Sequence, residues 1–203
     1  MNSSIGRNNS PSRQLENASS ELDRFLWSRG EKLPKILVLV TECKDFSLLE
    51  ATLRRIPQNV LEIIDEITVF DVFTEEDAGP VDHLKSLPAW EKLRFFSNPR
   101  RYDYGDNLKN CFDYAIAKGF DYVVVLRGDA AYDPASLPLF LASALSSGCP
   151  AVIGDRMGGT ASPPRRWTGS FKLAANRLLS FVEETILRMK LRDYHCGFRL
   201  LST

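Results

Sequence analysis

Histidine is almost absent from this chain: His83 and His195 are the only two among 203 residues. The four cysteines, Cys43, Cys111, Cys149 and Cys196, lie far apart and form no C-x-x-C pair. These scarcities argue against a zinc site and leave buried free thiols in a reducing compartment as the expectation. No apolar run approaches the ~18 residues of a membrane span. The N-terminus, "MNSSIGRNNSPSRQLENASS", lacks the apolar core of a signal peptide and reads as a disordered tail. Net charge is absent too, at zero with a pI near 6.7. That argues against a whole-surface nucleic-acid binder. The first apolar strand runs into "VTECKDF", which has no glycine. A nucleotidyltransferase would carry a Gly-rich phosphate loop at that point. What remains is a cytoplasmic protein with the option of touching the inner face of a membrane peripherally.

What is present is ordinary for a globular domain: 44% hydrophobic and 26% charged residues, on a chain long enough for one sizeable core. The charge is uneven locally. From Pro163 to Thr203 there are eight Lys/Arg against three Asp/Glu, leaving +5. This suits an anionic ligand or membrane surface, and solvated helix charges would also explain it.

Apolar runs alternate with helical patterns. A short helix over Glu21–Ser28, closed by Gly30, is expected inside a flexible segment 1–33. Then "KILVLV" (35–40), "EITVFDV" (66–72), "KLRFFS" (92–97), "DYVVVL" (121–126) and "AVIG" (151–154) read as five strands. Continuous apolar runs of this length suit strands buried on both faces. Asp45 is placed to cap a helix over "FSLLEATLRRI". "DNLKNCFDYAIAKG" puts Leu108, Phe112, Ala115 and Ile116 on one helical face, with Gly119 as the C-cap. Pro134 can open a helix reaching about Ser147. A long helix is expected over Ser170–Met189, with Phe171, Ala175, Leu178, Val182, Ile186 and Met189 on one face. That face reads as core, or alternatively as membrane-facing. Strands alternating with helices imply an α/β domain over 34–203 with a mostly parallel sheet and right-handed crossovers.

In such sheets ligands sit beyond the carboxyl ends of the strands. There the sequence places Thr41 and Glu42, Asp71, Asn98, Asp129, and Asp155 with Arg156. Several acidic strand ends together suggest a ligand with hydroxyls, a base edge or a metal. Asp155 and Arg156 could equally form an internal ion pair.

The stretch "SNPRRYDYGDNLKNCFDYAIAKGFDYVVVLRGDAAYDP" carries a pattern of larger scale. It has Asn98-Pro99, then Tyr104-Gly105-Asp106-Asn107 with Lys109. Next come Ala115-Ile116 with Gly119-Phe120-Asp121, and Gly128-Asp129 with Tyr132 and Pro134. Further on stand "GDRM" (154–157), Asn176-Arg177 and "YHCGFRLLS". In this order and spacing the chain resembles glycosyltransferase family 2, in the branch similar to dolichol-phosphate mannosyltransferase. The resemblance runs from about Lys35 to the end.

It implies a GT-A fold, Rossmann-like, that binds a GDP- or UDP-linked sugar donor and transfers a hexose, with inversion. The best-matching acceptor is a lipid phosphate of the polyprenyl type, with a sugar acceptor as the other option. Asp71 would hydrogen-bond base or ribose. Asp129 would be the surviving carboxylate of the D-x-D element, holding Mg2+ or Mn2+ on the diphosphate. Thr41, Glu42, Asn107, Lys109 and Arg156 fall on the donor side. Arg165, Arg166 and Lys172 would pair with phosphates. His195 and Arg199 match the late motif near the acceptor. His195 would otherwise be a packed or surface histidine, and Lys109 a solvated helix residue.

The chain departs from that pattern at the metal element. Arg127 stands where a first Asp is usual, and Ala131 where a Gln ligand is usual. Arg127 is expected either to replace the cation, contacting the diphosphate with its fork of donors, or to bridge to a loop acid. The first strand end, and the "VFTEED" after Asp71, also differ from the family, so a catalytically degenerate nucleotide-sugar-binding or scaffold domain is the competing reading. The family's domain continues beyond "CGFRLLST", which suggests a shortened or minimal member.

Overall fold

The computed structural model describes residues 11–28, 33–41, 43, 45–71, 78–97, 104–155, 170–188, 191 and 193–203. Its helices are α1 (Pro11–Ser28), α2 (Phe46–Arg54), α3 (Gln58–Ile63), α4 (Ala78–His83), α5 (Tyr104–Lys118), α6 (Leu137–Ser147) and α7 (Ser170–Leu187). Its strands are β1 (Ile36–Thr41), β2 (Glu66–Asp71), β3 (Leu93–Ser97), β4 (Tyr122–Arg127), β5 (Ala151–Ile153) and β6 (Arg199–Ser202). They form one six-stranded sheet in the order β3-β2-β1-β4-β6-β5.

The four strands read as continuous apolar runs pair in parallel, β3 to β2, β2 to β1 and β1 to β4. β1 explains why its sequence does not alternate. Ile36, Val38 and Val40 enter one buried cluster with Leu49, Leu53, Leu126 and Leu141. Leu37 and Leu39 enter a second, on the opposite face, with Cys111, Ala115, Val123 and Val125. A strand covered on both sides needs apolar residues at every position. Two carboxylates fix the start of β1: Asp121 Oδ2 accepts from the Lys35 N–H at 2.7 Å, and Asp65 Oδ2 from the Ile36 N–H at 2.8 Å. Asp45 caps α2 as its position predicts, accepting from the Ser47 N–H at 2.8 Å.

Several elements differ from the sequence reading. β5 does not extend the parallel set. β6, a strand from the late motif that its short pattern did not reveal, lies between β4 and β5 and is antiparallel to both. α1 begins at Pro11 and not near Glu21, and it is docked: Ala18 and Leu22 are buried. It packs on α6, and Asn59 of α3 donates to Ser19 Oγ at 2.5 Å. Polar composition hid an amphipathic helix within the stretch read as a tail. On α5 Ala115 is buried, with Leu108 and Phe112 packed beside it, as the pattern predicts, but Cys111 is buried as well and Ile116 is 61% exposed. On α7 the described part of the expected core face is open: Leu178, Val182 and Ile186 are 66%, 45% and 72% exposed, while Met189 and the side chains of Phe171 and Ala175 lie outside the described residues. Cys149 is exposed, whereas the other three thiols are buried as expected, and none of the four forms a disulfide.

Candidate functional site at the carboxyl ends of β1 and β4

β1 is the point where the sheet's connectivity reverses. The chain passes outward through β2 and β3, then returns to the other side as β4. Crevices form at such switch points. Here Thr41 pairs in register with Arg127, and the next N–H, from Gly128, donates to Thr41 O at 2.7 Å. A Cβ on Gly128 would stand 2.6 Å from Cys43 Sγ and 3.2 Å from Val40 Cγ1. Glycine is required there by the close approach of the two strand ends.

The loop beyond β4 turns back on its own strand. Arg127 Nε donates to Asp129 Oδ1 at 3.1 Å, and Nη2 donates to Asp129 Oδ2. The Ala131 N–H adds a third bond, to Oδ1 at 3.1 Å. Arginine's planar fork matches a carboxylate's two oxygens, so this pairing is specific in geometry as well as charge. Burial raises the Asp129 pKa, but the Arg127 bonds, the Ala131 N–H and the guanidinium charge outweigh it. The carboxyl is held below its ordinary value and stays ionised. Ala130, between the two bonded positions, takes a positive φ of 56°. Arg127 forms the expected bridge to a loop acid, and the acid is Asp129 itself.

Thr41, expected as a ligand-side residue, is 1% exposed, and its Oγ1 has no hydrogen-bond partner. A buried hydroxyl left unpaired costs about 1–3 kcal/mol.

The late motif closes the other side of the loop. The Gly197 N–H donates to the Tyr132 hydroxyl at 2.9 Å. The Tyr132 and Phe198 rings lie 5.6 Å apart, and Phe140 stacks on Phe198 at 4.1 Å. Tyr104, at the start of α5, brings its hydroxyl to 3.8 Å from the point a Cβ on Gly197 would occupy. Arg199 bonds inward: Nε to Cys196 O at 2.6 Å and Nη2 to Tyr194 O at 2.9 Å. It therefore ties the 194–196 turn to β6. The His195 N–H is held by buried Asp193 Oδ1 at 3.1 Å, and His195 Nε2 lies 3.2 Å from Glu183 Oε2 of α7. Tyr132, Asp193 and Glu183 were not singled out from the sequence as site residues. Tyr132 was visible as part of the "GDAAYDP" pattern, whereas Asp193 and Glu183 carry no local signal.

Asn107 is half-buried on the first turns of α5. Lys109 is exposed and paired with Asp106 at 3.4 Å, the solvated arrangement. Asp155 is exposed at the end of β5. Glu42, Arg156, Arg165 and Arg166 lie outside the described residues, as do the side chains of Asp71 and Lys172.

The metal expected on Asp129 was tested against these contacts. Both of its oxygens are engaged, by a cation and an N–H. Among the described residues no three His, Cys, Asp or Glu side chains gather as a metal cluster. A hard divalent ion can be held by one or two carboxylates with waters and substrate phosphates, but here the one carboxylate is already held at both oxygens by arginine. The residues described do not fit the metal.

A mostly parallel sheet with one antiparallel strand near its margin and helices on both faces matches the GT-A fold. Solved structures agree. The mannosyltransferase PcManGT from Pyrobaculum calidifontis, in complex with GDP-Man and Mn2+, superposes with a TM-score of 0.55 at 15% identity. That match covers 94% of this chain and 53% of that one. Glucosyl-3-phosphoglycerate synthase from Mycobacterium tuberculosis, with Mn2+, UDP-glucose and phosphoglyceric acid, gives 0.52 at 19% identity, covering 98% and 63%. A second structure of that synthase gives 0.56 at 18% identity, covering 97% and 63%. The chain thus spans between half and two thirds of these proteins. No family model and no curated protein sequence matches it.

Proposed function

We propose that this chain is the donor-binding part of a family 2 glycosyltransferase, in the branch similar to dolichol-phosphate mannosyltransferase. It transfers a hexose from a GDP- or UDP-linked sugar to a polyprenyl phosphate, with inversion. The observation that carries this reading is the Arg127–Asp129 fork at the switch point of a GT-A-type sheet. A guanidinium fixed at that place meets the negative charge that grows on the departing diphosphate. Thr41 supports the same site, since its buried unpaired hydroxyl gains a partner when a polar ligand enters. Asp71, Asn107, Lys109, Arg156, Arg165, Arg166 and Lys172 complete the donor side in this reading, and His195 faces the acceptor.

In the reaction an acceptor oxygen bonds to the anomeric carbon while the bond to the nucleoside diphosphate breaks, and the diphosphate leaves with the electron pair. Asp129 is ionised and bound to Arg127, so it is a poor general base near neutral pH. A phosphate acceptor is already anionic and needs no strong base. The +5 balance of 163–203 suits that acceptor. Its lipid, and a peripheral contact with a cytoplasmic membrane face, are supported by the exposed Leu178, Phe181, Val182 and Ile186 of α7. Among the described residues no helix is long and apolar enough to cross a membrane.

The test is transfer of labelled hexose from GDP-mannose or UDP-glucose to a polyprenyl phosphate in detergent. Labelled lipid product supports the reading, and product only with a sugar acceptor removes the lipid from it. The fork also favours a second reading, a nucleotide-sugar-binding domain without catalysis, because it ties up the one carboxylate of the D-x-D element. Donor binding with no transfer to any acceptor would establish that reading.

A further inference from the structure

Neighbouring structures of this fold were solved with Mn2+, yet the described residues of this chain do not fit that ion. We propose that the crevice at the ends of β1 and β4 binds no divalent metal and carries its own fixed cation, Arg127, with Asp129 as the residue that positions it. The inference deepens the donor-site reading above, on which its nucleotide arm rests; its metal arm stands without it.

Three features support it. First, Asp129 is engaged at both oxygens, by Nε and Nη2 of Arg127 and by the Ala131 N–H. A metal would have to displace a bidentate, charge-assisted pair to reach it. Second, the position is fixed by backbone. Arg127 is the last residue of β4, registered on Thr41, and the Gly128 N–H is bonded to Thr41 O. The sheet therefore fixes the backbone of Arg127 and Asp129 fixes the plane of its guanidinium, so little reorganisation is needed when a diphosphate arrives. Third, the pair is partly open: the side chains of Arg127 and Asp129 are 28% and 31% exposed. The guanidinium thus grips the carboxylate and still keeps some contact with solvent. Asp129 acts through Arg127, by fixing the plane of the fork.

The experiment has two arms. In the first, Mn2+ is titrated into the full chain, and free Mn2+ is followed by its paramagnetic resonance signal, for wild type and Asp129→Asn. The expected result is one curve for both, with no Asp129-dependent uptake. Uptake by wild type that disappears in Asp129→Asn overturns the proposal. In the second, GDP and UDP are titrated calorimetrically, in chelator and in MnCl2. The expected result is one dissociation constant in both buffers for whichever nucleotide binds, with Arg127→Gln weaker by about tenfold or more. Arg127→Lys, which keeps the charge and loses the fork, should recover only part of the loss. Binding confined to MnCl2 overturns the proposal. If neither nucleotide binds in any buffer, the donor-site reading fails, and the Mn2+ titration alone decides whether the crevice takes metal. Circular dichroism of each variant separates loss of binding from loss of fold.

Discussion

The two halves of the sheet are built on different logic. The parallel half, β3-β2-β1-β4, consists of apolar strands, and β1 and β4 have interiors buried on both faces. The antiparallel margin, β6 and β5, is short and partly exposed. It is held by directed polar bonds: Gly154 N–H to Phe198 O, Arg199 to two carbonyls, Tyr132 to the Gly197 N–H. The first half is stabilised by burial, which tolerates many sequences. The second is stabilised by particular atoms at particular places. The candidate site sits on the seam, where the loop after β4 belongs to both.

The widest test sets a deletion in the parallel half against one on α7, outside the sheet. Leu39→Ala in β1 removes a side chain with no exposure and should lower unfolding stability by about 2–5 kcal/mol. Ile186→Ala on α7, 72% exposed, should change it by no more than about 0.5 kcal/mol. Denaturant unfolding of both variants measures the difference. A large loss at Ile186 would mean that α7 buries that side chain in solution, and would restore the core reading of its sequence.

This difference also explains what could be read from sequence alone. β1, β2 and β4 were legible because burial on both faces leaves a continuous apolar signature. The cap at Asp45 was legible because its partner, Ser47, is two residues away. β6 was not, since "RLLS" is too short to show a period, and its place is set by pairing with β4 far back in the chain. α7 misled because an apolar stripe records amphipathicity and not what covers it. At the site, the Arg127–Gly128–Asp129 loop stood out as an abrupt end to an apolar run. That the arginine turns onto the aspartate depends on the turn at Ala130, whose positive φ no residue type there announces. Arg199 was expected near an acceptor. Its role in pinning the turn depends on two carbonyls that carry no side-chain signal.

In the antiparallel margin the directed bonds give a middle-sized prediction. Arg199→Met keeps an unbranched side chain and loses both carbonyl bonds, at a cost of about 2 kcal/mol. Arg199→Lys should recover little, because one ammonium does not reproduce the planar fork that reaches Cys196 O and Tyr194 O together. Tyr132→Phe removes one bond to the Gly197 N–H and should cost about 1 kcal/mol. Thermal unfolding at several wavelengths would show whether the margin melts with the rest or ahead of it. If Arg199→Lys matched wild type, point charge and not geometry would be what holds the turn.

On the seam, pH reads the fork directly. The folded-state pKa of Asp129 is depressed, so its contribution is fully present above the unfolded value of about 3.9. It is lost as pH falls through the lower folded value. Stability measured against pH should therefore fall on the acid side for wild type, and that limb should be shallower in Asp129→Asn. An unchanged acid limb would mean the carboxylate is not held by Arg127 in solution.

The smallest expected change in stability falls on Thr41, and it separates fold from function most cleanly. Its hydroxyl is buried and unpaired, while its methyl and β-branch suit the end of a buried strand. Thr41→Val keeps that shape and removes a polar group that has nothing to bond. Stability should stay level or rise by up to about 1 kcal/mol. Nucleotide affinity should fall at the same time, if the hydroxyl is kept for a ligand. A protein that loses stability on this substitution would show that Oγ1 has a partner in the unliganded state, such as an ordered water. A protein that gains stability and still binds nucleotide unchanged would leave the hydroxyl outside the donor's reach, and would narrow the site to the Arg127 side of the seam.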